Sequence, residues 1–191
     1  MVMREDRMTP EERRALGRRK NPMLHQLEEQ LRGSLGLSAE AFHRVRFDRW
    51  EAIYEQIADR FADRTRSRRN GLHWANTNGY SPWAMARLAG CWHTDSQSWF
   101  LCLPQLLPGE GAVYLVLELG PDRFWLFEGE VGAMVSVLTL LSGTAFLGLG
   151  HLDYYLVSRK FRWIMGYNHH DMVSLAGEGF ALEDFSGFPP P

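Results

Sequence analysis

Apolar residues recur at helical spacing over residues 49–65. The stripe consists of Trp50, Ile53, Tyr54, Ile57 and Phe61, at positions i, i+3, i+4, i+7 and i+11. This period is typical of an amphipathic helix with one buried face. Asp48 and Glu51 have the spacing of a capping box, which marks a helix start. We therefore predict a helix from about Arg49 to Thr65.

Strand patterns dominate the chain after Pro108. The segments "AVYLVLEL" and "RFWLFEG" flank Gly120-Pro121-Asp122 and predict a hairpin. A helix over residues 130–141 follows, then a second hairpin, "DYYLVS" and "FRWIMGY", around Arg159-Lys160, and a last strand, "MVSLAG". The order predicts an α+β fold, in which N-terminal helices precede a mostly antiparallel ββαβββ sheet packed against the helix near residues 49–65. Trp50 and Trp163 are expected in this core, Trp163 on the sheet face that the helix covers.

The run "VGAMVSVLTLLSGTAFLGLG", residues 131–150, contains no charged residue. About 20 apolar residues can span a bilayer, so a membrane span is one interpretation. Four glycines interrupt the run, and amphipathic strands flank it. We favour a buried helix that ends near Gly143 and is followed by a loop.

The chain is expected to divide into three parts. Residues 1–40 are predicted to be a helical, loosely attached extension, with one polar helix over residues 9–20 and a second from Pro22 to Arg32, stopped by Gly33. Residues 41–185 form a single α+β domain, and residues 186–191 form a C-terminal tail. Between the helices and the sheet, Ala84 to Gly90 suggest a short helix.

The charge balance changes along the chain. The net charge is -2, from 21 Lys+Arg and 23 Asp+Glu. Residues 1–70 carry 16 and 12 of these, a balance of +4, and residues 71–191 carry the remaining 5 and 11, a balance of -6. Two cysteines make neither a disulfide framework nor a zinc knuckle. Charged residues follow Met1 without an apolar signal segment, so a cytoplasmic location is expected.

The segment Asn168-His169-His170-Asp171 is the main candidate for chemistry. If the preceding strand continues, Phe161, Trp163, Met165, Tyr167, His169 and Asp171 share one face, and Arg162, Ile164, Asn168 and His170 share the other. His169 and Asp171 would then be the pair able to hold a metal, with His73 and His93 as further ligands. The alternative, which we favour, is a structural polar turn with one histidine exposed for contact. We expect neither a metal nor a cofactor.

Charged residues elsewhere suggest contacts with a partner. Arg159 and Lys160 in the second hairpin would meet an anion. The basic cluster "RTRSRR", residues 64–69, with Trp74 would suit a nucleic-acid backbone. Acidic residues surround the first hairpin and would complement a basic cleft on another protein; they are Glu110, Glu118, Asp122, Glu128 and Glu130.

The stretch "DYYLVSRKFRWIMGYNHHDMVSLAGEG" resembles the C-terminal part of a family of small uncharacterised bacterial proteins, with the pattern YYxVSxKFxW followed by NHHD. The segments "FDRWEAIYEQI", "HWAN", "WFLCLPQLLP", "VYLVLE" and "FWLFEGE" extend the resemblance over residues 47–177. The layout is also similar to that of SUKH-type immunity proteins, which bind bacterial toxins. The resemblance is specific at Tyr154, Tyr155, Lys160, Trp163, Asn168, His169, His170 and Asp171. The candidate residues for contact with a ligand or partner are Tyr154, Arg159, Lys160, Asn168, His169, His170 and Asp171.

The sequence is therefore compatible with three functions. The first is a non-catalytic bacterial binding protein of the toxin-neutralising immunity class, with a protein partner. The alternative is a metal-dependent hydrolase centred on His169 and Asp171. The third is a nucleic-acid binder that uses the basic N-terminal half. We expect a protein partner, and neither a membrane nor a nucleic acid.

Overall fold

Four helices are found among the described residues of the computed structural model. The structure describes residues 9, 22–61, 88–93, 99–107, 110–120, 123–143, 153–168 and 172–180. Within these residues the helices are α1 (Pro22–Leu35), α2 (Phe47–Phe61), α3 (Leu103–Leu106), which continues the 3-10 turn Trp99–Cys102, and α4 (Val131–Gly143). The predicted helix over residues 9–20, the basic cluster with Trp74, and the C-terminal tail lie outside these ranges, apart from Thr9.

The strands form one antiparallel sheet. They are β1 (Phe42–Arg44), β2 (Leu88–His93), β3 (Ala112–Gly120), β4 (Arg123–Glu130), β5 (Asp153–Ser158), β6 (Trp163–Asn168) and β7 (Met172–Gly177). Their order across the described sheet is β1-β4-β3-β5-β6-β7-β2. Both predicted hairpins and the last strand are confirmed, as is the α+β class.

The two edge strands were not predicted. The expected short helix over Ala84 to Gly90 is wrong for Leu88–Gly90, which begins β2 and pairs with β7. β1 has three residues and pairs with β4. Both strands obtain their hydrogen bonds from segments distant in sequence, so local periodicity carries little signal for them.

Side-chain alternation in the strands produces two cores. Along β3, Val113, Leu115 and Leu117 belong to one core, and Tyr114 and Val116 belong to the other. The first core is completed by residues of α1, α3 and α4, and the second by residues of α2. The prediction that the sheet packs against the helix near residues 49–65 is therefore correct for one face, and three helices cover the other.

Helix α2 follows its predicted stripe but begins earlier. Ile53, Ile57 and Phe61 are buried, and Trp50 is half-buried with its Nε1 donating to the Val45 carbonyl at 2.7 Å. Because the helix begins at Phe47, Asp48 lies in its first turn and is not the capping residue.

Helix α1 passes through Gly33 and ends at Leu35, so the predicted stop at Gly33 is wrong. The chain leaves the helix at Gly36, whose φ is +63°, and the Leu37 amide donates to the Arg32 carbonyl at 3.0 Å. This is the geometry of a glycine-terminated helix. Leu27 and Leu31 are fully buried in the first core. The boundary at residue 40 stays a prediction, but α1 is packed into the core and is not loosely attached.

Trp163 is buried, as expected, but on the other face of the sheet. It belongs to the core beneath α1 and α4, whereas the residues of α2 belong to the second core. Its indole Nε1 donates to the Glu110 carboxylate at 3.2 Å, and its ring lies 5.5 Å from that of Phe180. The expectation that α2 covers Trp163 is wrong, because Trp163 and Ile164 point to opposite faces and Ile164 takes the α2 side.

Helix α4 confirms the buried helix predicted in the uncharged run. Met134, Val137 and Leu138 are fully buried in it. Among the described residues, no helix has the length and apolar character needed to cross a membrane.

A close approach of β6 and β7 requires glycine at position 177. Gly177 pairs with Trp163 and has a φ of +103°. A Cβ there would meet the Arg162 carbonyl oxygen and lie 2.7 Å from the Trp163 Cα. We expect Gly177→Ala to lower the free energy of unfolding by about 2–4 kcal/mol in urea denaturation.

The matched control is Gly33→Ala in α1. An added Cβ at Gly33 has no atom within 4 Å, so alanine should raise the free energy of unfolding by about 0.5–1 kcal/mol through helix propensity. A Gly177→Ala variant as stable as the wild type would contradict the described approach of the two strands.

Candidate functional site

The fold places the predicted contact residues at two ends of the sheet. Arg159 and Lys160 lie in the turn between β5 and β6, whereas Tyr154 lies near the start of β5 and Asn168 at the end of β6. The six residues of β6 separate the two ends by roughly 20 Å at about 3.3 Å per residue. The structure therefore does not bring these residues into one surface.

The NHHD segment begins at Asn168, the last residue of β6, and is followed by Met172, the first residue of β7. Asn168 pairs with Met172, and Met172 pairs with His93 of β2 on its other side. His169, His170 and Asp171 lie outside the described residues, as does His73. Adjacent strands are about 4.8 Å apart, so the backbones of Asn168 and His93 are roughly 10 Å apart. Of the two supplementary histidines proposed as ligands, His93 is the one that the register brings beside the segment.

The strand alternation predicted before this segment is largely confirmed. Trp163 and Met165 belong to the first core and Ile164 to the second. Phe161 is the exception: it precedes β6, has a φ of +53°, and its ring lies 5.8 Å from that of Tyr114 on the α2 side. Phe161 therefore belongs to the turn and does not continue the strand pattern.

Two carboxylate residues lie at the same end of the sheet as Asn168. Glu118 of β3 pairs with Asp153 of β5. Tyr154 pairs with Tyr167 one position further in, so Asp153 and Asn168 are the next residues outward. We call Glu118, Asp153, Asn168 and His93 the polar end row. The register assembles it from four strands that no sequence spacing connects.

Tyr155 is buried beneath this row. Its hydroxyl donates to Glu118 Oε2 at 3.2 Å. Burial raises the pKa of Tyr155 well above its ordinary value, and the negative charges of Glu118 and Asp153 raise it further. The tyrosine is therefore a neutral hydrogen-bond donor at physiological pH. Such a group positions Glu118 and does not serve as a base.

Tyr154, predicted as a contact residue, lies in the first core. It is 5 % exposed, and its ring stacks on Tyr167 with centroids 5.0 Å apart. This placement indicates a packing role for Tyr154 next to the polar end row.

At the opposite end, Glu110 binds the β5–β6 turn. Its Oε1 accepts a hydrogen bond from the Ser158 hydroxyl at 3.2 Å. Its Oε2 accepts from Arg162 Nη2 at 3.1 Å and from Trp163 Nε1 at 3.2 Å. Three donors surround this carboxylate, so it ties the segment before β3 to the hairpin.

Glu128 provides a second ion pair at this end. It is 6 % exposed, and its Oε1 lies 3.0 Å from Arg159 Nε. Its Oε2 lies 3.9 Å from His43 Nε2. Arg159 is thus paired within the chain although its side chain is exposed, and Lys160 is exposed as well.

The described acidic residues around the first hairpin do not form one open acidic surface. Glu110 and Glu128 bind cations of the chain itself, and Glu118 accepts the Tyr155 hydroxyl. Glu130 is exposed, and Asp122 lies outside the described residues. Sequence reasoning missed these partners because each is separated from its acid by more than 30 residues.

Metal-binding geometry is not present within the described part of the chain. No group of three His, Cys, Asp or Glu residues there is arranged to hold a metal ion. The predicted ligands His73, His169 and Asp171 fall outside this part, and His93 is placed by its backbone alone.

The comparisons identify a family but no characterised relative. A model of the family described as "Family of unknown function (DUF6756)" matches residues 21–183. No curated protein and no solved structure matches the chain. The matched range includes every described helix and strand.

The hydrogen bond of Tyr155 can be tested with Tyr155→Phe, which removes the hydroxyl and keeps the ring. At pH 7 we expect the free energy of unfolding to fall by about 1 kcal/mol, the usual loss for one hydrogen bond. Because the pKa of Tyr155 is raised in the folded state, its ionisation favours the unfolded chain. The wild type should therefore lose its advantage over the variant as the pH rises above about 10, the pKa of an unfolded tyrosine.

The measurement is urea denaturation of both proteins between pH 7 and 11. A stability difference that stays constant across this range would show that Tyr155 ionises equally easily in both states.

Proposed function

The chain belongs to the DUF6756 family, a family of unknown function, and we propose that it is a non-catalytic bacterial binding protein of the toxin-neutralising immunity class. Its contact surface is the polar end row together with the NHHD segment. The observation that carries this proposal is the register Asn168–Met172–His93, which places a third strand beside the segment.

The state of the reactive side chains supports binding over catalysis. Tyr155 is a neutral donor under a carboxylate. Glu110 and Glu128 are held by arginines of the second hairpin. Groups engaged in this way stabilise the fold, and using Glu110 or Glu128 as a base or nucleophile would leave a nearly buried carboxylate without its arginine partner.

The chemistry of the row suits a basic protein partner. Glu118 and Asp153 contribute negative charge. Asn168, His169 and His170 are residue types that donate and accept hydrogen bonds. Residues 71–191, which include this end of the sheet, carry a balance of -6. Such a charge accelerates the approach of a positively charged partner. At the other end, Glu128 and Glu110 are paired with Arg159 and Arg162.

Binding can be tested with the products of the genes that flank the gene for this chain, among which the proposal expects a toxin. We expect this chain and the toxin to form a stoichiometric complex and co-expression to restore growth. The double variant His169→Ala, His170→Ala should weaken the complex by about tenfold or more, as loss of a central contact does. Lys160→Ala, at the opposite end of the sheet, is the matched control and should leave affinity unchanged in calorimetry.

Two results would overturn this assignment. The absence of a complex would remove the immunity function. Weakening by Lys160→Ala, with no effect of the histidine variant, would move the contact surface to the β5–β6 turn.

The register also favours a second candidate, the metal-dependent hydrolase. His93 pairs with Met172, the residue that follows Asp171. His93, His169 and Asp171 would supply three ligands of the types that zinc prefers. An open fourth position would then activate water.

Metal content separates the two candidates. Under the binding proposal, protein purified without a histidine tag contains well under one equivalent of zinc, and a chelator leaves the melting temperature unchanged. About one equivalent of metal, lost in both His93→Ala and His169→Ala, would instead support the hydrolase. The pair of variants distinguishes a shared site from metal bound by one residue.

The third function, nucleic-acid binding, depends mainly on residues 64–69 and Trp74, which lie outside the described residues. Two arginines in the described part of the N-terminal half already form ion pairs within the chain. Arg44 pairs with Glu28 at 3.7 Å, and Arg46 pairs with Asp48 at 2.6 Å. No contact among the described residues therefore supports nucleic-acid binding, and it is the least supported of the three functions.

A further inference from the structure

Four aromatic side chains form a continuous run between the first half of α2 and the start of β4. The ring centroids of Phe47 and Trp50 are 4.5 Å apart. The ring of Phe124 in β4 lies 5.5 Å from that of Trp50 and stacks on Tyr54 at 4.2 Å. We call Phe47, Trp50, Tyr54 and Phe124 the aromatic run.

The aromatic run is partly open to solvent. Phe47 is 42 % exposed, which makes it one of two exposed large apolar side chains in the described part of the chain. Trp50, Tyr54 and Phe124 are half-buried and pack against the outside of the second core. A single exposed apolar side chain is ordinary, but a contiguous group of them is typical of an interaction site.

The Phe47 ring already attracts one cation of the chain. The guanidinium carbon of Arg44 lies 5.0 Å from the ring centroid, within the range of a cation–π contact. The Arg44 side chain is 14 % exposed, so it lies on the inner side of the ring. The outer side of Phe47 therefore remains accessible to a second cation.

Helical spacing places acidic side chains on the same flank of α2 as the aromatic run. Glu51 is exposed, follows Phe47 by four residues and precedes Tyr54 by three, so it is a neighbour of both. Arg49 lies about 100° around the helix from Trp50 in the opposite direction from Glu51. The run is therefore bordered by the carboxylate of Glu51, while Arg49 lies on the other flank.

A carboxylate of the polar end row borders the other end of the run. Phe124 pairs with Glu118 across the β3–β4 hairpin. Because Phe124 contacts Trp50 and Tyr54, the aromatic run continues the polar end row onto the α2 side of the sheet. Aromatic faces and carboxylates both attract cations, so the chemistry is the same along this surface.

We propose that the outer side of Phe47, with Glu51 beside it, binds an arginine side chain of the basic protein partner. The inference rests on the proposed function, since it names a further part of that contact surface and the chemical group held there. Arginine fits better than lysine, because its planar guanidinium stacks on a ring while its N–H groups reach a carboxylate. A nucleic acid or an anionic membrane would instead bring phosphates against Glu51 and Glu118, which would repel them.

The test titrates the isotope-labelled full chain with a short peptide of alternating arginine and glycine, followed by NMR. The resonances of Phe47, Glu51 and the Trp50 indole N–H should shift and reach saturation. A peptide of the same length made of glutamate and glycine should leave them unchanged. This readout uses the wild type, so it does not depend on the folding of any variant.

Phe47→Leu tests the ring itself, because it keeps an apolar side chain and removes the aromatic face. We expect it to weaken binding of the arginine peptide about twofold to fivefold, the value of an exposed cation–π contact. Leu101→Ala is the matched control. It removes the other exposed large apolar side chain of the described residues, in a turn whose neighbours Phe100 and Leu103 pack into the first core. Its affinity for the peptide should equal that of the wild type.

Equal affinity of the wild type and Phe47→Leu would refute the proposal, and so would arginine-induced shifts that leave the aromatic run unaffected. The titration contains no toxin, so its outcome is separate from that of the immunity function. A chain that binds a toxin but fails this titration contacts its partner without the aromatic run. A chain that binds the arginine peptide but no toxin has the cation site and lacks the immunity function.

Discussion

The covering of the sheet on both faces is the constraint on which the other features depend. Side chains of a strand alternate between faces, so a strand covered on both must be apolar at successive positions. β3 meets this requirement, with every residue from Val113 to Leu117 buried. β5 does so from Tyr154 to Val157. Charged groups can then occupy little more than the strand ends, which is where Glu118, Asp153 and Glu128 lie.

The carboxylates at the two ends of the sheet have different kinds of hydrogen-bond partner. At the β5–β6 turn, Glu110 and Glu128 are nearly removed from water and are each held by an arginine. A buried carboxylate without such a partner would be costly, so these pairs are part of the fold. At the other end, the carboxylate of Glu118 accepts a hydrogen bond from a neutral tyrosine. This hydrogen bond, unlike the arginine pairs, brings no positive charge to the carboxylate.

The polar end row and the β2 edge share His93. It is the last residue of the edge strand and pairs with Met172 beside the NHHD segment.

Much of the fold follows from local periodicity. The helical stripe from Trp50 to Phe61 predicts α2, and alternating or continuous apolar runs predict both hairpins, β7 and α4. These signals are strong because each element buries its own apolar residues, and burial leaves a period in the sequence. The end of α1 was misplaced by three residues because Gly33 and Gly36 look alike in sequence, and only Gly36 has a positive φ.

By itself, the sequence determined the α+β class, the order of the central elements and the presence of a polar segment between the last two strands. Tertiary structure alone decided which residues meet. It put Trp163 on the face opposite α2, supplied arginines to Glu110 and Glu128, and added β2 so that His93 pairs with Met172, the residue after the NHHD segment. The physical reason is that ion pairs and strand register join residues tens of positions apart. Neither kind of contact leaves a periodic trace in the chain.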